Sequence, residues 1–111
     1  MMLTFVAFTL FILTTRTSAG FHWTKTENDH WADTPRGLYI TNCARCHGAD
    51  GSGQTELGRK LDAPDLRKKG KEMSSDKIVR VITKGRDEMP SFRKKLTRGQ
   101  IARLASYIRK L

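Results

Sequence analysis

Cys43-Ala44-Arg45-Cys46-His47 is the stretch on which the reading of this 111-residue chain turns. Residues three apart on a helix share a face, so the thiols of Cys43 and Cys46 point the same way, one turn apart. His47 follows immediately, a further step round the backbone. A C-x-x-C-H run is the signature of covalent haem attachment. Two thiols so spaced can reach both vinyl groups along one edge of a porphyrin, and the imidazole that follows can be aimed at the iron. Other chemistries can use the same residues. In an oxidising compartment the two cysteines could join as a disulfide. A thioredoxin-like dithiol needs a strand before it, and the residues before Cys43 show no strand pattern. A zinc site wants four ligands; Cys43, Cys46 and His47 with His22 or His30 would supply them, in a spacing that matches no familiar structural site. Haem is the leading reading and these remain its alternatives.

A haem iron has two axial positions, so a sixth ligand is sought downstream, where the methionines are Met73 and Met89. Met89 lies in Gly85-Arg86-Asp87-Glu88-Met89-Pro90-Ser91-Phe92. Pro90 cannot continue a helix and stiffens the chain, which suits a thioether that must be held in place. Met73 precedes the cap of the second helix and reads as a packing or solvent-facing residue. Met89 is therefore the expected axial ligand, with core filling as its bland reading. His22 or His30 in its place, or an open sixth position, are the other arrangements.

Working outward, the first nineteen residues differ from the rest. Leu3 to Leu13 is almost continuously apolar, and Thr17-Ser18-Ala19 supplies the small residues of a cleavage site. The expectation is a signal peptide over 1–19, although no Lys or Arg precedes the apolar run. As a helix that run rises only ~16 Å, too short to span a bilayer. Residues 20–33 are polar with scattered Phe21, Trp23 and Trp31, and read as a flexible lead-in. The compact domain is expected over 34–111.

Three helices can be argued inside it. The first opens at Asp33-Thr34-Pro35, a capping side chain followed by Pro in the first turn, and runs towards Cys43. The second starts near Ser74-Ser75, shows Ile78, Val81 and Ile82 on one face, and stops at Gly85. The third begins at Thr97 with capping-box spacing to Gln100 and staple positions at Leu96 and Ile101. Its apolar stripe is Ile101, Leu104, Ala105 and Ile108. Between Gly48 and Met73 lies a Gly-rich segment of weak periodicity. A structureless loop of this length argues against a compact domain unless it wraps something, and a haem is what it would wrap.

Composition narrows the function. There are 21 Lys+Arg against 11 Asp+Glu, a formal charge of +10, and two Cys. Two cysteines cannot make a disulfide-dense scaffold, and a chain this short does not accommodate a large catalytic fold with its own deep cleft. Lys84, Arg86, Arg93, Lys94, Lys95 and Arg98 flank the Met89 segment, and Arg67, Lys68, Lys69 and Lys71 form a second basic cluster. The first group, if it rings the haem edge, is expected to steer docking to an acidic-surfaced redox partner, a reductase, dehydrogenase or oxidase. Solvated charge kept for solubility is the plainer reading. Nucleic acid is not expected as a partner.

With these residues in hand, the chain resembles the class I monohaem cytochromes c. The likeness covers roughly 34–111. It is carried by CARCHGADGSG (43–53), Ala63-Pro64-Asp65-Leu66, Met89-Pro90-Ser91-Phe92 and Leu104-Ala105-Ser106-Tyr107-Ile108. The resemblance implies an all-α cytochrome c fold, three to four short helices wrapped around one covalently attached haem c. Cys43 and Cys46 would hold the haem, with His47 and Met89 as axial ligands. The first and last helices would cross, so that Gly37, Leu38, Tyr39 and Ile40 meet Leu104, Tyr107, Ile108 and Leu111, and the Pro64 carbonyl would accept the other ring N–H of His47. The implied function is a soluble one-electron carrier, monomeric, not an enzyme and not stably inserted in a membrane. The implied place is the periplasm and its respiratory chain, with the thylakoid lumen or a membrane tether less favoured. The alternative is a haem-bearing electron-transfer subunit of a larger exported oxidoreductase complex.

Overall fold

The structure is a computed structural model that describes residues 27–111; the expected signal peptide and residues 20–26 of the lead-in lie outside them. The described chain is helical: α1 (Glu27–Ala32), α2 (Pro35–Asn42), α3 (Ala44–His47), α4 (Glu56–Lys60), α5 (Leu66–Glu72), α6 (Ser75–Lys84) and α7 (Arg98–Ile108). No strand occurs among the described residues; the one β feature there is an antiparallel bridge between Arg86 and Met89.

The three helices with readable signals form where expected, although Val79 rather than Val81 joins Ile78 and Ile82 against the core. Thr34 caps α2, its Oγ1 accepting from Gly37 N, and Pro35 follows as the first helical residue. Ser74 caps α6, which ends at Gly85 with φ 75°, a left-handed conformation that costs glycine little. Thr97 and Gln100 close both halves of the capping box of α7. Ile101, Leu104, Ala105 and Ile108 are all buried in one core with Leu38, Tyr39, Ile78, Ile82, Phe92 and Leu96. α7 packs on α2 and on α6. Where α2 crosses it, the rings of Tyr39 and Tyr107 lie 5.3 Å apart at 46°, a tilted aromatic contact.

The helix count is a correction. Seven helical segments stand among the described residues where three to four were expected. Three of the unexpected ones, α1, α4 and α5, have no apolar stripe of their own. The lead-in residues from Glu27 to Ala32 are the helix α1, tied back through Asp33: Gln100 Nε2 donates to its Oδ1 at 2.8 Å and Arg103 Nη2 to its Oδ2 at 2.9 Å. The Gly-rich segment contains α4 and α5. Both have side-chain caps, Thr55 Oγ1 accepting from Gly58 N and Asp65 from Arg67 N. Both are held by backbone contact rather than by apolar periodicity. A Cβ at Gly58 would strike the carbonyls of Cys46 and Gly53, and one at Gly70 the carbonyl of Ile108. Only glycine allows α4 so close to α3 and α5 so close to α7.

Candidate functional site

α3 is a single turn whose N-cap is Cys43 and whose last residue is His47. Its ladder is continuous with α2: Cys43 N donates to Tyr39 O at 2.8 Å and His47 N to Cys43 O at 2.9 Å. The two thiols therefore sit one turn apart on a rigid support. Both are free; Cys43 is buried and Cys46 half-buried. Burial pushes the Cys43 thiol up to about 11, the neighbouring Cys46 adds to this, and the Lys95 ammonium opposes it. Lys95 thus lies close enough to the attachment turn for its charge to be felt there.

The His47 ring is buried, and its Nδ1 lies 3.3 Å from the carbonyl oxygen of Pro64. A carbonyl only accepts, so Nδ1 carries the proton and Nε2 carries the lone pair. Burial pulls the imidazole pKa below its ordinary value, more strongly than the Pro64 bond raises it, and the ring is held neutral. Nε2 has no hydrogen-bond partner among the described residues. This is the donor set a haem iron requires: a neutral imidazole of fixed tautomer, oriented through its other nitrogen.

The wrap around this turn is made of main chain. Gly53 N donates to His47 O at 2.7 Å and Leu66 N to Gly51 O at 2.7 Å. Gly48, Gly51 and Gly53 have φ of 79°, 81° and 75°, a run of left-handed conformations that only glycine adopts cheaply. Tyr39 Oη donates to Gly48 O at 2.8 Å, carrying the helical core into the wrap. That phenol is pushed above its usual range, first by burial and then by Cys43. Thr55 Oγ1 reaches the carbonyls of Arg45 and Cys46, both at 2.9 Å. The reading of the sequence missed Thr55 and, while placing Tyr39 at the helix crossing, missed its bond into the wrap. Thr55-Glu56 is a helix-start signal that could have revealed the first; nothing local marks the second.

Met89 stands on a different support. Arg86 N donates to Met89 O at 3.0 Å and Met89 N to Arg86 O at 2.8 Å, closing a tight turn in which Asp87 has φ 50°. Ser91 Oγ donates to Thr83 O at 2.6 Å and Phe92 N to Ile82 O at 3.0 Å, pinning the turn to α6. Met89 is half-buried against the same core cluster that contains Cys43. His30, the other described candidate for a sixth ligand, is exposed. The zinc alternative fares no better, since no three His, Cys, Asp or Glu side chains among the described residues converge on a metal position.

Residues 31–108 match the family described as cytochrome c oxidase, cbb3-type, subunit III. The chain belongs to the class I c-type cytochromes. A cytochrome c6 of Nostoc sp. is 34% identical over 79 residues, which are 69% of this chain and 69% of that relative. A cbb3-type cytochrome c oxidase subunit CcoP of Azospirillum brasilense is 35% identical over 83 residues, 72% of this chain but 28% of the relative. A solved structure titled KustC0563 c-type cytochrome superposes with a TM-score of 0.64 at 30% identity, covering 69% of this chain and 95% of that one. As a c-type cytochrome the chain carries covalently bound haem c and works in electron transfer between redox partners. Its fold is the all-α cytochrome c fold.

Proposed function

We propose that this cytochrome carries one electron at a time, with Cys43 and Cys46 as the thioether-forming residues and His47 Nε2 and Met89 Sδ as the axial ligands. The observation that carries the assignment is the buried His47 ring with Nδ1 on the Pro64 carbonyl. When bound, the haem would supply the redox couple, and ligation by Met89 together with His47 would favour the reduced state. The chain's residues do the rest. Pro64 fixes the imidazole, the Gly48–Gly53 wrap covers it, and the turn at 86–89 presents the thioether. With both axial positions taken by side chains there is no place for a substrate, so the chain is read as a carrier rather than an enzyme.

Exposed Lys84, Arg86, Arg93, Lys94, Lys95 and Arg98 favour a partner with an acidic surface, and the effect of Lys95 on Cys43 supports a place for that one lysine near the haem attachment. Such docking weakens as salt screens it. The apolar N-terminal run and small-residue cleavage pattern support export, with the periplasm as the compartment and a monomer as the working form. No helix among the described residues is long and apolar enough to cross a membrane. A second reading, an electron-transfer subunit of an oxidase complex, is favoured by the cbb3-type family match. An enzyme that co-purifies stoichiometrically would decide for it.

Met89→Ala tests the ligand assignment. The expected outcome is loss of the long-wavelength sulfur-to-iron band of the ferric protein, CO binding to the ferrous form, and a potential lowered by a sizeable part of the ~0.8 V over which axial ligands tune haem. An unchanged ferric spectrum and potential would remove Met89 from the site. A colourless exported chain of unmodified mass would remove the whole reading.

A further inference from the structure

The outer side of α7 is unlike the rest of the surface. Its core-facing stripe is buried, while Ala102, Arg103, Ser106, Arg109 and Lys110 are exposed on the opposite side. Along that side runs an open groove of about 340 Å³, lined by Pro35, Ala102, Arg103, Ser106, Tyr107 and Lys110. It continues through Ser106 and Lys110 into a second hollow of about 300 Å³, lined also by Ser75 and Arg109. The floor at the Pro35 end is apolar; the far end is two cations and two hydroxyls. Trp31, four residues before Pro35 in the chain, is 45% exposed and is the one large exposed hydrophobic side chain among the described residues.

The position of Trp31 is built. Thr34 N and Thr34 Oγ1 donate to its carbonyl at 3.0 and 2.7 Å, and Gly37 leaves room for that carbonyl, which a Cβ would strike. The Asp33 carboxylate, two residues after Trp31, is engaged by Gln100 and by the groove residue Arg103, although Asp33 and Arg103 are 50% and 44% exposed. An exposed ion pair contributes little stability, so its lasting effect is geometric: it fixes the α1–α2 junction, of which Trp31 is part, against α7.

We propose that this face, with Trp31, is a second docking surface that takes an acidic, apolar-anchored segment of a partner protein. Trp, Tyr and Arg are the residue types that dominate binding energy at interfaces. No carboxylate lines either hollow. Charge selects the occupant. A second copy brings a net +10 and is repelled. The chain's own residues 20–26 offer Phe21 and Trp23 but carry Lys25 and no carboxylate, so they do not complement Arg109 and Lys110. An anionic lipid surface matches the charge but not the concave, apolar floor, which suits an inserted side chain. α3, with Cys43 and His47, packs on α2 and α4, so a partner held behind α7 leaves the attachment turn open to another. The inference stands on the groove and does not require Met89 to be a ligand.

The test uses the full-length holoprotein, isotopically labelled, and a synthetic peptide alternating Glu with Leu and Phe as probe. The expected result is amide shifts at Ala102, Ser106 and Lys110 and at the Trp31 indole. Affinity should fall at least tenfold in Ala102→Glu and in Lys110→Glu, and less than threefold in a Lys94→Glu, Lys95→Glu double variant. Electron exchange with a small inorganic reagent should be unchanged in Ala102→Glu, which also shows that variant to be folded. Shifts confined to residues 84–98 would overturn the proposal. So would concentration-dependent self-association through the groove, or groove shifts in Trp23→Ser without any probe, which would make the chain's own segment the occupant. Binding to phosphatidylglycerol vesicles that Ala102→Glu abolishes, with the peptide indifferent to it, would assign the face to membrane instead.

Discussion

Two parts of this cytochrome are held together by different means. α2, α6 and α7 are joined by side chains: apolar stripes buried in one cluster, with Leu104 and Tyr39 at 0% exposure. The segment from Gly48 to Glu72 is joined mainly by main chain: glycine against carbonyl, and backbone donors reaching His47 O, Gly51 O and Gly58 O, with Leu66, Thr55 and the Tyr39 bond to Gly48 as its side-chain ties. The first arrangement tolerates local change because apolar side chains can repack. The second cannot, because a carbonyl has no rotamer to adopt. Under the proposed assignment the haem attaches at the turn between them, and the part that has no stripe of its own depends on it more.

Removing the haem should give the largest effect and separate the two parts. A Cys43→Ala, Cys46→Ala chain made without haem is expected to lose its native near-UV CD. Burying ~400 Å² of apolar macrocycle supplies on the order of 10 kcal/mol of gross stabilisation, more than a small core can spare. In hydrogen exchange the amides of residues 48–72 should become unprotected first, while α2 and α7 keep residual protection. Equal loss across both parts would break the comparison.

Gly58→Ala comes next. Its Cβ would meet two carbonyl oxygens, so the unfolding free energy of the holoprotein is expected to fall by ~3 kcal/mol or more, read as a lower denaturant midpoint. Tyr39→Phe cuts the side-chain bond that crosses from the packed helices to the wrap at Gly48. Gly48 O keeps a second donor, Gly51 N at 3.1 Å, so the cost should be ~1 kcal/mol. The smallest effect has the opposite sign. Gly99, in the first turn of α7, has open space where an alanine methyl would stand, with nothing within 4 Å. Gly99→Ala should therefore stabilise by ~0.5 kcal/mol through a less entropic unfolded chain. The same substitution at Gly58 and Gly99, read in one melting series, is the sharpest form of the contrast.

The same division explains what could be read without coordinates. Ile101, Leu104, Ala105 and Ile108 announce α7 because a buried stripe must recur with the helical period, and Thr97 with Gln100 fixes where it starts. Cys43, Cys46 and His47 are legible because their chemistry imposes a spacing. α4 and α5 carry no stripe, so periodicity is silent there; their local marks are the caps Thr55 and Asp65, which read equally well as turn residues. α1 was hidden for another reason: it is fixed through the pairs from Asp33 to Gln100 and Arg103, contacts across most of the chain that no local window contains. Met89 was legible as a candidate through Pro90, whereas the Gly85–Asp87 geometry that presents it was not.

The acceptor for His47 is a main-chain oxygen, and this bears on how the chain can drift. Every residue type that could replace Pro64 brings a carbonyl with it. Genetic change at that codon can alter how far the oxygen reaches but cannot delete it, so the proton on Nδ1 is insulated from substitution in a way that a carboxylate partner would never be.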